Sequence, residues 1–138
     1  MSAAVSTGAG RWAGGQPCTL NSLIAAWGDV VAEVEDGYSW CAPELDNDLW
    51  CRDALARVWP HLPPRVAALR LPELAELDRR FRAATTSWPG EGDENQRWWH
   101  RRVPRTLAAE AGGQRLRGWP SGWGMLPFPK PGCVRVVE

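Results

Sequence analysis

Leu20, Leu23, Ile24, Trp27, Val30, Val31 and Val34 recur at helical intervals. They give the segment from about Thr19 to Asp36 one wide apolar stripe, and any fold of this chain has to cover it. Thr19 or Asn21 can supply the N-cap oxygen, and Gly37 is a natural stop. Gly28 sits inside this helix, where glycine costs about 1 kcal/mol relative to alanine. A close helix crossing at that point would account for it.

A second helical element is expected from Pro43, which suits a first-turn position because its missing N–H would be unpaired there. Leu45, Leu49, Leu55, Val58, Trp59 and Leu62 mark its apolar face. The phase of that face shifts around Asp48 to Cys51, which predicts a kink or short break. Pro60, Pro63 and Pro64 end the element. A third helix is expected to open at Pro72, after a short lead from Arg65 to Leu71, with Leu74, Leu77, Phe81 and Ala84 on its buried side. It stops before Trp88-Pro89-Gly90, and Glu91 to Asn95 read as a polar loop.

The pattern weakens beyond Gln96. Arg97 to Pro104 reads as a helical turn or an extended segment. Thr106 to Ala111 reads as a short helix stopped by Gly112-Gly113. Gly118 to Gly132 is too rich in Pro and Gly for regular structure, and Cys133 to Val137 reads as a short strand lacking an evident partner. Residues 1–17 read as a flexible arm on which Trp12 is the one large apolar group. The expected architecture is therefore mainly α: an antiparallel bundle of three principal helices spanning 18–111. An irregular Trp-, Gly- and Pro-rich C-terminal segment, 112–138, packs over it.

A chain of 138 residues is about one domain and needs neither disulfides nor metal to hold a core. Formal net charge is zero, so no global field draws it to nucleic acid or an anionic membrane. Basic residues are almost all Arg, which reflects either GC-rich codon usage or a choice of guanidinium for bidentate pairing. Cys18, Cys41, Cys51 and Cys133 are scattered without a CxxC pair. They read as free thiols, although Cys41 and Cys51 could meet between neighbouring elements. His61 and His100 have no partners at metal-ligand spacing. Met1 to Gly10 has no export-signal pattern, and no run approaches the ~18 apolar residues of a membrane span. A cytoplasmic protein with no cofactor and no metal is the expectation.

Charge is nevertheless segregated. Asp29, Glu33, Glu35, Asp36, Glu44, Asp46, Asp48 and Asp53 are opposed within their stretch only by Arg52. Arg97, Arg101, Arg102, Arg105, Arg115, Arg117, Lys130 and Arg135 are opposed only by Glu110 and Glu138. The two sets either neutralise each other or leave the acidic one open to a basic protein. Tyr38, Trp40 and Trp50 are interleaved with the carboxylates, as aromatic anchors are at binding hot spots. Asp36, Tyr38, Trp40, Glu44, Asp46, Asp48 and Trp50 are thus the candidate partner-binding residues. The alternative is a nucleic-acid or regulatory module in which Trp98 and Trp99 stack while Arg101 and Arg102 meet phosphates. Catalytic signatures are missing: Asp46-Asn47-Asp48 lacks the central glycine of a calcium loop, and Gly90-Glu91-Gly92 lacks the rest of a phosphate loop. A Cys–His dyad has no supporting local sequence, so the chain reads as a non-enzyme.

Trp27 to Glu35, Gly37-Tyr38, Asn47-Asp48-Leu49, Arg52, Leu77 to Arg82 and Trp98 to Pro104 together resemble small uncharacterised helical proteins of GC-rich bacteria. The resemblance covers about Leu20 to Pro104, and the tail after Gly118 has no counterpart in it. Such proteins are often encoded beside toxins, so the resemblance implies an immunity or antitoxin-like inhibitor.

Overall fold

The computed structural model describes residues 4–5, 18–90 and 97–138. The expected positions of Trp12 and of the Glu91 to Asn95 loop lie outside the described residues. The first stripe folds as anticipated. Helix α1 (Leu20–Asp36) is capped by Thr19, whose Oγ1 accepts from the Ser22 N–H at 3.0 Å while Ser22 Oγ accepts from the Thr19 N–H at 2.9 Å. It ends at Gly37, whose φ of 106° a side chain would resist. All seven stripe residues are buried. The anticipated break in the second element is present: α2 (Ala42–Asp48) and α3 (Trp50–Val58) meet at Leu49, and a 3₁₀ turn follows over Trp59–His61.

Helix α4 spans Pro64–Ala83, so the proposed start at Pro72 is corrected: Pro64 holds the first turn and Pro72 lies inside. The helix tolerates it because Pro72 and Ala68 are both exposed. Pro72 has no N–H for the Ala68 carbonyl, and on an exposed face water can take that place.

The antiparallel three-helix bundle is also corrected. Alongside the helices the chain forms β1 (Ala4–Val5), β2 (Cys18–Thr19), β3 (Thr85–Ser87), β4 (Arg102–Pro104), β5 (Thr106–Ala108), β6 (Arg115–Leu116), β7 (Trp119–Pro120) and β8 (Arg135–Val137). The fold is largely helical but mixed α/β. The strands pair two by two, antiparallel as β1–β2, β3–β4 and β6–β7, and parallel as β5–β8. Nor are the two long helices antiparallel. Asn21 meets Arg70, Gly28 faces Leu77 and Glu35 meets Arg80, so α1 and α4 run the same way. The short helix proposed over Thr106 to Ala111 is instead β5. There Thr106, Leu107 and Ala108 pair with Arg135, Val136 and Val137, the partner that the terminal strand lacked.

Trp27, Tyr38, Phe81, Trp99 and Trp119 are the largest fully buried side chains, and Trp123, Leu126 and Val134 join the same core from the C-terminal segment. Every buried indole N–H has an acceptor: Asp78 for Trp27, Asp53 for Trp99, and the carbonyls of Phe128 and Trp40 for Trp119 and Trp123. No described helix is long and apolar enough to cross a membrane.

Candidate functional site

The connection from α1 to α2 is shaped by a backbone bridge. Tyr38 N–H donates to the Thr106 carbonyl at 3.1 Å and the Tyr38 carbonyl accepts from Ala108 N–H at 2.9 Å, extending the β5–β8 pair by one residue. That bridge turns the Tyr38 ring into the core. There it meets Trp123 edge-on at 6.2 Å, and its hydroxyl donates to Asp48 Oδ2 at 2.9 Å. Burial, the hydrogen bond and the Asp48 charge all raise the Tyr38 pKa, so the phenol stays a neutral donor. Tyr38 and Asp48, both expected as contact residues, are therefore corrected: they are interior and support the turn from beneath.

The other five partner-binding candidates lie further out. Trp40 is 59 % exposed, while its carbonyl is held by Trp123 Nε1 at 3.0 Å. Asp36 and Asp46 are exposed, and Glu44 and Trp50 are half-buried. A shallow cavity of about 300 Å³ adjoins Trp40, lined also by Ala108, Ala109, Glu110, Arg115 and Pro120. A smaller cleft, about 100 Å³, lies between α1 and the α2–α3 junction among Asp29, Glu33, Asp48 and Trp50.

The electrostatics of the α1 end follow from its sequence. Glu33, Glu35 and Asp36 crowd the last turn with no basic residue among them, where the negative end of the helix dipole opposes them. Arg80 forks onto Glu35 at 2.6 and 3.0 Å and holds that carboxyl below the usual range, but it belongs to α4 and not to the C-terminal basic stretch. Arg97–Asp53, at 3.9 Å, is one ion pair that joins the acidic and basic stretches. His100 adds to it, with Nε2 2.8 Å from Asp53 and Nδ1 3.4 Å from Asp46.

The Trp98–Arg102 cluster does not present stacking faces. Trp99 is buried and gives its N–H to Asp53. Trp98 is half-buried against Phe81 and Trp99, with the Arg82 guanidinium 3.7 Å from its ring centre. Arg102 is tied to Thr85 and Ser87, whereas Arg101 is exposed with its guanidinium 5.5 Å from the Trp88 ring centre. Trp99 is thus corrected from a ligand-facing to a structural position, and Arg102 is anchored to β3.

A partly buried polar knot was not anticipated. Asp78 of α4 accepts from Trp27 Nε1 at 3.0 Å and takes a two-pronged contact from Arg52 at 2.9 Å on each oxygen. The Arg52 guanidinium lies 4.2 Å from the Trp99 ring centre, and Trp99 continues to Asp53. The one legible signal was Arg52 itself, the lone cation in an acidic stretch. Cys51, also buried, has its thiol pushed up to about 12 by desolvation, which keeps it protonated and a poor nucleophile. Among the described residues no thiol bonds a histidine, and no three potential ligands gather as a metal site would require.

Comparison with family models, with curated proteins and with solved structures finds no match to this chain.

Proposed function

We propose that this chain is a non-catalytic binding protein that seats a basic protein partner on the surface around Trp40. The observation that carries the reading is the Trp40 indole, 59 % exposed on a backbone pinned by Trp123. Indole exposed to water at a fixed position supplies contact area at little ordering cost, which is the economy of a binding anchor. Asp36 and Asp46 supply accessible carboxylates, and the crowded acidic end of α1 gains most from an approaching cation. Glu44 and Trp50 form the margin, while Tyr38 and Asp48 hold the turn in shape. In its finer form the reading is an immunity or antitoxin-like inhibitor, cytoplasmic like its target, whose acidic face masks a cationic groove. The nucleic-acid reading is not carried forward, because the faces of Trp98 and Trp99 are taken up by the molecule's own side chains.

The test is affinity capture from the native host, including the product of the neighbouring gene, followed by kinetics on the captured protein. Trp40→Ala should weaken binding by about tenfold or more, as expected of a hot-spot aromatic. The double reversal Asp36→Lys/Asp46→Lys should chiefly slow association, with the effect shrinking as salt rises. A partner that binds all three proteins with equal rates removes the reading.

A further inference from the structure

Where α4 ends against the β3–β4 hairpin, two guanidinium groups converge on one backbone oxygen. Arg102 Nη2 lies 3.4 Å and Arg105 Nε 3.1 Å from the Thr85 carbonyl. The remaining Arg102 contacts are also to neutral acceptors: Thr85 Oγ1 at 2.8 Å, Ser87 Oγ at 3.1 Å and the Arg82 carbonyl at 3.4 Å. Among the described residues neither Arg102 nor Arg105 forms an ion pair with a carboxylate. The carbonyl end of α4 supplies only a fraction of one negative charge. Two like charges therefore share a region in which, among the described residues, neither has a carboxylate partner.

We propose that Arg102 and Arg105 form a binding site for a tetrahedral oxyanion, a phosphate group, at the junction of α4 with the β3–β4 hairpin. Donor accounting supports the assignment. Arg105 is exposed and spends only Nε on the protein, so the N–H groups of both its terminal nitrogens are open to a ligand. Arg102, half-buried, is fixed by its bonds to β3 and offers the remaining hydrogen of Nη1. A phosphate accepts such N–H groups in pairs, and charge-assisted bonds of this kind are about twice as strong as neutral ones. Burial depresses the Arg102 pKa, and the Arg82 and Arg105 charges depress it further. An anion would relieve the repulsive part.

The test is a titration of the full chain with inorganic phosphate, following the arginine Nε–Hε resonances at constant ionic strength with chloride as the comparator. Saturable shifts at Arg105 and Arg102 are expected with phosphate and a phosphate monoester but not with chloride. Arg105→Gln should weaken the response about tenfold, and Arg105→Lys less, because lysine keeps the charge without the fork. Arg102 variants risk loosening the end of α4, so Arg105 carries the test, with Arg79→Gln, at the exposed Arg79–Glu76 pair, as a variant expected to respond like the parent. Equal shifts with chloride, or an unchanged response in Arg105→Gln, overturn the site. So does tight binding of a single-stranded oligonucleotide without any saturable response to inorganic phosphate, which would mark a polyanion track instead.

Discussion

Asp78 is a junction of the interior's polar chemistry, since one carboxylate serves both the Trp27 indole and the Arg52 fork. Removing one partner of a fully buried pair costs about 3–5 kcal/mol, an upper bound for Asp78, whose side chain is 19 % exposed. Asp78→Ala should therefore lower stability to urea by up to that amount, and a loss below about 1 kcal/mol, the scale of an exposed pair, would show the knot to be dispensable. Cys51 makes a second residue-scale case. Its thiol titrates at 9.0 when free and near 12 when folded, so the folded state keeps the proton longer. This contribution to stability is complete below pH 9 and fades as pH rises from 9.0 towards 12, and the raised Tyr38 phenol acts in the same direction. In a Cys18→Ser background, iodoacetamide at pH 8 should modify the exposed Cys133 first and Cys51 only after unfolding. Early labelling of Cys51 would contradict its burial.

Among the elements, α1 was legible to its ends because cap, stripe and stop agree locally. Gly28 is the exception. A Cβ built there would meet Leu77 at 3.8 Å, ordinary contact distance, so the crossing with α4 is not close enough to require glycine. Gly28→Ala should stabilise the protein by up to about 1 kcal/mol. Gly122 behaves oppositely: at φ +92° its Cβ would lie 2.9 Å from Cys41 Cβ and 3.2 Å from Cys41 Cα. Gly122→Ala should shift the thermal midpoint down while Gly28→Ala shifts it up, and the same sign for both would refute this packing. The α4 boundary was misread because proline scores as a breaker wherever it stands, whereas its effect depends on which face carries it.

For the whole molecule, the C-terminal segment is structural. β8 gives β5 its partner, and Val134, just before β8, is buried in the core. Ending the chain at Gly132 should expose Leu107 and remove Val134, and each such side chain is worth about 1.5–3 kcal/mol of burial. The near-UV circular dichroism of Trp119 and Trp123 should collapse with it, and a shortened chain with the parent's near-UV spectrum would show β8 to be an ornament. The segregated charges also resolve at this scale. Arg52 pairs with Asp78 and Arg80 with Glu35, Arg117 bonds the carbonyls of Gly124 and Leu126, and Arg102 and Arg105 bond that of Thr85.

The amino-acid order alone determined α1, the break at Leu49, the apolar set of the first helices and the segregation of charge. These depend on neighbours within a turn or two of chain, where periodicity and capping operate. Whether Tyr38 or Trp40 faced water was decided only in three dimensions. The Tyr38 bridge to β5, the parallel pairing of β5 with β8 and the Trp123 bond to the Trp40 carbonyl all join residues far apart in sequence. No local pattern encodes such partners, because a strand's register and a buried group's acceptor are chosen by what the rest of the chain brings to them.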